Sequence, residues 1–390
     1  MEAPTITKTQ ITVMSIAAGI CVANIYYNQP ILNDISKNFN VTASRAGIIS
    51  VLAQAGYGLG LFFLTPMGDK VNRKKLILIL MGALVAVLAG ITFVQNFFWL
   101  CIFSLLTGLL SVAAQVILPM AASMDSKNRG RTVGIIFTGI LVGILAARVI
   151  SGLIAEWLNW RYVYGISAIM VVISMGLIQF SLPNVVPGFT GSYGSLLGST
   201  LKQFKRFPLL RKTALLGALV FGLFCSFWTT LTFHLSGAPF NFKADVIGLF
   251  GILAIGGAML APLFGKLADK GNPARAQLFS VSLVLVGVLL IQFFPLSVTA
   301  FVISVLLLDV GVQATQVTNV ATIYTLDETA HSRINTAYMT SYFIGGALGS
   351  YAGIQFWNAG GWQMVAWQLL VWCVLALGIV VFSSARLRKE

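Results

Sequence analysis

The stretch GRTVGIIFTGILVGILAARVISG, residues 130–152, decides the fold class, because it is a long apolar run with one charge inside it. A membrane-spanning helix needs roughly 20 apolar residues at ~1.5 Å rise each, and this run has that length. Gly134, Gly139 and Gly143 keep one side of the helix thin, which lets a neighbouring helix pack backbone against backbone. The pattern predicts a transmembrane helix in close contact with another.

Arg148 is the charge inside this helix. A guanidinium at bilayer depth costs about 2.5–3.5 kcal/mol on the insertion scale, so Arg148 is expected to face protein or water. The structural alternative is an arginine that caps the carbonyls of neighbouring helices or extends outward to the interface. We expect Arg148 to be part of a functional site.

The composition places the whole chain in the membrane, because 57% of its residues are hydrophobic and only 9% are charged. The predicted fold class is an all-α membrane protein with twelve transmembrane helices. No paired carboxylates, metal cluster or nucleophile–base pair is found in the sequence, so neither an enzyme nor a cofactor is expected. The predicted spans are residues 11–32, 44–66, 74–95, 99–121, 131–154, 161–181, 213–234, 244–266, 274–294, 298–321, 333–356 and 362–384.

The net charge of +14 does not indicate nucleic-acid binding once the spans are placed. Of the 25 Lys and Arg, only Lys37, Arg45, Arg161 and Lys243 fall in loops opposite the N-terminal side, and Arg148 lies within a span. Positive charge concentrates on the cytoplasmic side of membrane proteins. We therefore expect a multi-pass protein of the bacterial inner membrane with both termini in the cytoplasm.

The second half of the chain repeats features of the first. The repeat predicts an N-terminal six-helix half at residues 1–181, a cytoplasmic linker with an amphipathic segment at 182–212, and a C-terminal six-helix half at 213–390. The recurring residues are Asp69-Lys70 with Asp269-Lys270, Gln115 with Gln316, Arg131 with Arg333, Gly143 with Gly345, and Trp160 with Trp362.

Polar side chains inside the first-half spans are candidates for the lining of a cavity. Asn24, Tyr27 and Asn28 share one helix face, because they lie three and four residues apart. Such groups need partners in hydrocarbon, so this face points into the bundle or into a water-filled cavity. Gln54, Tyr57 and Gln115 are open to the same two interpretations, a cavity or interhelical packing.

The turns after the second and eighth spans carry a specific resemblance. GKLADKG, at residues 265–271, resembles the loop signature of the major facilitator superfamily, and six plus six helices fit that family. The first-half copy departs from the signature, with Thr65 and Asn72 where the family has Gly. The resemblance implies gating roles for residues near these turns. The implied gating residues are Asp69, Lys70, Arg73, Arg131, Asp269, Lys270 and Arg333.

A second resemblance concerns the branch of the family. Gly134, Gly143 and Gly152 match the antiporter motif of the drug/proton antiporters, but Arg148 stands where that motif has Pro. Ala147 and Ser151 replace glycines of the motif, and Ser104 occupies the place of an arginine usual in that branch. NIYYNQP, at residues 24–30, is similar to a segment found in a bacterial subgroup of efflux permeases.

The family resemblance implies alternating access around a central site between the two halves. Asp309 is the acid placed deep within a span, and its alternative role is a neutral carboxyl hydrogen-bonded within its own half. Gln313 and Gln316 share its helix face, four and seven residues on. The other second-half residues assigned to the cavity are Trp228, Thr229, Thr232, Tyr338 and Tyr342.

The predicted function is secondary active transport, with proton-coupled export of small organic molecules as the first interpretation. Asp309 would be the protonation switch, and Arg148 would supply a nearby cation or hold an anionic substrate. One alternative is a proton-coupled importer or uniporter of a small carboxylate or sugar; a more remote one is a non-transporting receptor. The expected partners are a small-molecule substrate, protons and the lipid bilayer, with the protein a monomer.

Overall fold

The computed structural model of this 390-residue chain describes residues 6–125, 128–186, 189, 191–253, 273–327 and 330–387, and the regular elements in these ranges are helices. The predicted all-α membrane class is confirmed. A short 3₁₀ helix at Thr65–Asp69 follows α3. The α-helices are α1 Lys8–Ala23, α2 Asn28–Asn38, α3 Ala43–Phe63, α4 Arg73–Phe93, α5 Phe97–Leu110, α6 Ala113–Met124, α7 Arg129–Trp157, α8 Trp160–Ser181, α9 Tyr193–Arg206, α10 Pro208–Ser236, α11 Ala244–Leu253, α12 Pro273–Phe293, α13 Val298–Tyr324 and α14 His331–Leu387.

The described residues contain 10 helical segments long and apolar enough to cross a membrane. The longest, α14, is two helices in succession, because Gly360 and Gly361 have non-helical backbone angles. Gly361 has a φ of 62°, in the left-handed region that a glycine adopts without strain. α11 is a shorter apolar helix at the start of the predicted span 244–266, and the rest of that span lies outside the described residues.

Two predicted spans are each broken into two helices. The first continues beyond the predicted end at residue 32 to Asn38, with a turn between α1 and α2. Pro30 is the third residue of α2, where its missing N–H removes no intrahelical bond. The fourth is interrupted between Leu110 and Ala113, so α5 and α6 are separate elements of one crossing.

Close approach of helix backbones at two glycines is shared by the two parts of the chain. A Cβ atom on Gly143 of α7 would lie 2.3 Å from the carbonyl oxygen of Gly19 on α1. A Cβ atom on Gly345 of α14 would lie 2.3 Å from the carbonyl oxygen of Ala218 on α10. The predicted tight contact therefore forms at Gly143, but Gly134 does not take part, because a Cβ atom there would meet nothing within 4 Å among the described residues.

The helices form two groups, which we name the first bundle (α1–α8) and the second bundle (α10–α14). The two bundles touch where α3 packs on α14 and where α2 packs on α10. We name the end of the molecule with the turns at 64–72, 182–186 and 325–327 the terminal face, because α1 begins there. The opposite end, with the turns at 39–42, 158–159, 237–243 and 294–297, is the far face.

The connection between the bundles contains the amphipathic helix α9. Its Tyr193 hydroxyl donates to the carbonyl oxygen of Phe63 in the first bundle. Its Arg206 forms an ion pair with Asp327 of the second bundle, at 2.5 Å. Leu196 and Gln203 are buried against the rest of the molecule. Leu201 of the same helix is exposed.

Candidate functional site

A cavity of about 50 Å³ lies between the two bundles at the middle of the membrane-spanning helices. Its wall is mainly apolar and aromatic with a few polar groups, as in small-molecule sites, but its volume is smaller than the roughly 300–1,000 Å³ of sites that enclose an organic ligand. The apolar and aromatic lining includes Val22, Tyr26, Phe137, Ile140, Ile144, Leu145, Phe221, Phe224, Val312, Met339 and Phe343. The polar lining is Tyr57, Gln115, Arg148, Asp309, Gln313, Gln316 and Tyr342.

Arg148 enters this cavity from α7 and is 1% exposed. Its Nε donates to Oε1 of Gln29 at 2.8 Å, and its guanidinium carbon lies 4.0 Å from the centroid of the Trp228 ring. The rings of Tyr26 and Phe224 lie 5.3 and 5.6 Å from the same carbon. Nη1 and Nη2 have no hydrogen-bond partner among the described residues. The arginine is thus held by one nitrogen and by aromatic faces, and its two terminal nitrogens are free donors.

Asp309 lies on α13 and is 2% exposed. Its Oδ2 has no hydrogen-bond partner among the described residues, and it does not form an ion pair with Arg148. A buried carboxylate without a partner is costly unless it binds a proton or a cation. Gln313 and Gln316, one and two turns further along α13, line the same cavity. The helix-face pattern that groups these three residues in the sequence therefore corresponds to one wall of the cavity.

Two glutamine–tyrosine pairs lie on opposite bundles. In the first bundle, Nε2 of Gln115 donates to the Tyr57 hydroxyl at 3.1 Å. In the second bundle, the Tyr342 hydroxyl donates to Oε1 of Gln316 at 3.3 Å. Gln115 and Gln316 are partners in the sequence repeat, and each forms a hydrogen bond with a tyrosine hydroxyl at the cavity wall.

Other polar residues predicted for the cavity bond elsewhere. Oδ1 of Asn24 accepts from the Ser167 hydroxyl at 2.8 Å, and Oδ1 of Asn28 accepts from the Ser50 hydroxyl. These bonds hold α1 and α2 within the first bundle. Tyr27 and Gln54 are buried but do not line the described cavity.

The second bundle shows the same division. The hydroxyl of Thr229 shares a hydrogen bond with Ser350 at 3.2 Å, and the Tyr338 hydroxyl accepts from Asn319 at 3.3 Å. Thr229 and Tyr338 do not line the described cavity. Trp228 does not line it either, but its ring contacts the guanidinium of Arg148, which does. Thr232 crosses between the bundles, because its hydroxyl donates to the backbone oxygen of Gln29 at 2.7 Å.

Gln29 is the main site residue that the sequence reasoning missed. Its side chain accepts from Arg148 and its backbone accepts from Thr232, so it joins α7, α2 and α10. Its position in NIYYNQP, between Asn28 and Pro30, could have indicated it. The prediction treated residues 11–32 as one continuous helix, however, and Gln29 does not lie on the face that was assigned to the cavity. Tyr26, in the turn between α1 and α2, was missed for the same reason.

The comparison with known families decides the class of protein. The model of the Major Facilitator Superfamily matches residues 14–350. The chain belongs to the Major Facilitator Superfamily. The uncharacterized transporter YgaY of Escherichia coli O157:H7 is 39% identical over 360 residues, which cover 91% of this chain and 90% of that protein. The inner membrane transport protein YnfM of Escherichia coli K12 is 25% identical, with 94% of this chain and 89% of that protein covered.

Solved structures of other transporters share the fold of this superfamily member. A bacterial homologue of the human lysosomal transporter Spinster, inward-facing and occupied, has a TM-score of 0.77 at 13% identity, covering 96% of each chain. The nucleoside transporter NupG has a TM-score of 0.78 at 11% identity, covering 95% of this chain and 98% of that chain. The predicted family is confirmed. The chain is a multi-pass membrane transporter of the major facilitator type and not an enzyme.

The acidic–basic turn typical of the superfamily is built around Arg73. Its side chain donates to the carbonyl oxygens of Gly68 and Pro119, both at 2.9 Å, and to the Ser123 hydroxyl at 3.1 Å. Asp69 contributes a single contact to the same guanidinium, at 3.1 Å. Lys70 and Arg131 are exposed, while Arg333 and Asp69 line one small cavity at the terminal face. Asp269 and Lys270 lie outside the described residues.

The far face of the transporter has an ion pair between the bundles. Nζ of Lys243, just before α11, contacts Oε1 of Glu156 near the end of α7. The hydrogen bond and the negative charge of Glu156 raise the pKa of Lys243. Close backbone packing lies just inside this pair, because a Cβ atom on Gly152 would be 2.4 Å from the carbonyl oxygen of Ala244. These contacts join the bundles on the far-face side of Arg148.

Proposed function

We propose that this protein is a proton-coupled secondary transporter that exports small organic molecules by alternating access. The observation that carries the proposal is the pair of buried, incompletely bonded ionisable groups in one cavity between the bundles, Arg148 and Asp309. Ionisable groups at such depth mark ion and proton pathways in membrane proteins. The proton-motive force supplies about 2.3 kcal/mol per charge per 100 mV, which drives modest accumulation.

Asp309 is the proposed proton carrier. Its Oδ2 has no partner among the described residues, so a proton can bind there without breaking a bond at that atom. The amide groups of Gln313 and Gln316 line the same cavity and offer hydrogen bonds to a bound molecule or to water. The aromatic wall suits an organic substrate with an apolar body. We include in this proposal that the protein belongs to the drug/proton antiporter branch, because Gly134, Gly143 and Gly152 match the motif of that branch.

The test uses proteoliposomes that hold a pH-sensitive dye. We expect compounds from a panel of organic cations, such as ethidium, and carboxylates, such as benzoate, to elicit proton flux with the native protein. Asp309→Asn should abolish pH-driven transport while it retains substrate binding and exchange. Asp245→Asn, a change at the start of α11 outside the cavity, is the matched control and should leave proton flux unchanged. Full pH-driven transport by Asp309→Asn would place the coupling site elsewhere.

A second candidate function is import or uniport of a small carboxylate, and a specific observation favours it. Nη1 and Nη2 of Arg148 are both free donors, which is the geometry that a carboxylate uses for a bidentate contact. Under this alternative, Arg148→Lys should lose binding of the carboxylate at every pH, because lysine has no planar pair of donors. Under the export proposal, the same variant should alter the pH dependence of transport and retain binding.

We also propose that the terminal face is cytoplasmic, in a monomer of the bacterial inner membrane. The support is the excess of Lys and Arg in the turns of that face. In a background with the four native cysteines replaced, Lys70→Cys and Lys202→Cys should react with an impermeant maleimide only from the cytoplasm. Lys37→Cys and Leu296→Cys should react only from outside. Labelling of positions 37 and 202 from the same side would contradict the topology.

A further inference from the structure

We propose that a groove between α4 and α8 at the terminal face binds the head group of an anionic phospholipid. The groove has a volume of about 500 Å³ and lies away from the central cavity. Its lining combines two lysines, three side-chain amides and two aliphatic residues. These are Asn72, Lys74, Lys75, Leu78, Ile79, Gln179 and Asn184.

The charge of the groove selects an anion. Both charged side chains that line it, Lys74 and Lys75, are positive, and its described lining contains no acid. Nζ of Lys74 donates to the backbone oxygens of Gln179 and Leu182, at 2.7 and 2.8 Å, which fixes its charge beside the groove without neutralising it. Nζ of Lys75 makes no hydrogen bond or ion pair with the described residues, and the side chain is exposed.

The amides add donors at the same level. Gln179 and Asn184 are exposed, and an amide NH₂ donates to a phosphate oxygen as readily as to water. The ammonium groups of Lys74 and Lys75 and the neighbouring amides together form a set of hydrogen-bond donors. Such a set suits a phosphodiester, because phosphodiester oxygens only accept hydrogen bonds. A zwitterionic head group brings its own cation to the groove, so the anionic lipids are the better electrostatic match.

The depth of the groove selects a lipid over a soluble phosphate. Lys75 lies in the first turn of α4, and Ile79 is one turn further into the membrane, about 6 Å at ~1.5 Å per residue. The polar head-group layer of a bilayer has a similar thickness on each side. Ile79 is 58% exposed and Phe180, near the end of α8, is 91% exposed. An ammonium at head-group level above exposed apolar side chains fits a molecule with a phosphate and acyl chains.

The experiment titrates the full-length protein in detergent with phosphatidylglycerol and follows bound lipid by native mass spectrometry. Lys75→Gln should raise the half-saturating lipid concentration about fivefold, which corresponds to ~1 kcal/mol for one lysine near the surface. Asn184→Ala, which removes a donor and no charge, should weaken binding by a smaller factor. Lys202→Gln, an exposed lysine of α9 outside the groove, is the matched control and should leave binding unchanged.

Two further probes separate the source of the phosphate. Phosphatidylethanolamine should bind more weakly than phosphatidylglycerol to the native protein, and Lys75→Gln should reduce that difference. Glycerol phosphate without acyl chains should not compete with phosphatidylglycerol at comparable concentration. Equal competition by glycerol phosphate, or an equal loss of binding in Lys202→Gln, would overturn the proposal.

Discussion

The guanidinium carbon of Arg148 lies 4.0 Å from the centroid of the Trp228 ring, so a cation of the first bundle rests on an indole of the second. Contacts of this kind contribute about 2 kcal/mol or more when desolvated, and both side chains are buried. The indole lies against the guanidinium, while Nη1 and Nη2 have no hydrogen-bond partner among the described residues. The same arginine can therefore bind a ligand through its Nη atoms while it contacts the opposite bundle through the indole ring.

Replacement of Trp228 tests this contact. Trp228→Leu removes the aromatic face and should favour separation of the bundles at the far face by about 1–2 kcal/mol. Spin labels at positions 37 and 296, one on each bundle, should then report a larger population of long distances. Trp228→Phe keeps an aromatic face and should lie closer to the native protein. Identical distance distributions for the two variants would rule out an interaction through the ring.

The glutamine–tyrosine pairs give a second prediction. Tyr57→Phe removes the partner of the Gln115 amide, and Tyr342→Phe removes the partner of Gln316. Each change should lower the free energy of unfolding by about 1 kcal/mol, as expected for a neutral hydrogen bond. The matched test adds Gln115→Leu to Tyr57→Phe, and the double variant should lose less than the sum of the two single changes. Strict additivity in the denaturation data would show that the pair does not interact.

The terminal-face turn predicts unequal roles for Asp69 and Arg73. Asp69→Asn removes one part-exposed ion pair and should cost about 0–1 kcal/mol. Arg73→Gln also leaves the carbonyls of Gly68 and Pro119 without their donor, and should cost at least about 2 kcal/mol. Thermal unfolding of the purified variants measures both. A larger loss for Asp69→Asn would show that the carboxylate, and not the arginine, organises the turn.

The Glu156–Lys243 ion pair should stabilise the closed far face. Glu156→Gln should shift the bundles slightly toward far-face opening, and the effect should shrink at high salt, because both side chains are partly solvated. The double change Glu156→Lys with Lys243→Glu should restore the native distribution. An unaltered distance distribution in Glu156→Gln would exclude a role for the pair.

The pH dependence of this ion pair follows from the raised pKa of Lys243. A group whose pKa rises on pairing contributes stability below its ordinary pKa, and the contribution is lost as the pH rises through the raised value. The ordinary pKa of lysine is 10.5. The lysine should therefore cause no change in far-face closure between about pH 6 and 9, and a loss only in strongly alkaline solution. Distance measurements across that range provide the check.

The sequence predicted the class of fold well, because apolar length and charge asymmetry are local properties of a chain. The repeat also predicted that Gly143 and Gly345 occupy equivalent positions, and each makes a close backbone contact with the first helix of its own bundle. The breaks inside two spans were not predicted. Pro30 is compatible with a continuing helix or with a new helix start, and only the surrounding packing distinguishes the two cases.

The cavity was predictable where one helix face carries the information. Asp309, Gln313 and Gln316 follow helical spacing and share one wall. Asn24 and Asn28 also follow helical spacing, but Ser167 and Ser50 satisfy them inside the first bundle. Which polar group finds a partner depends on residues of other helices, 143 positions away for Asn24 and 22 for Asn28. Spacing along a single helix therefore identifies candidates without separating cavity groups from packing groups.

The two bonds of α9 have a consequence for the distance that the bundles can travel. One end of this helix is bonded to Phe63 of the first bundle and the other to Asp327 of the second, so α9 links the two bundles directly. Any widening of the terminal face must release at least one end. The side chain of Arg206 is 59% exposed, so its pair is weakened by solvent and salt. Ionic strength at the membrane surface would then determine how readily the Arg206–Asp327 ion pair breaks, and with it the rate at which the terminal face opens.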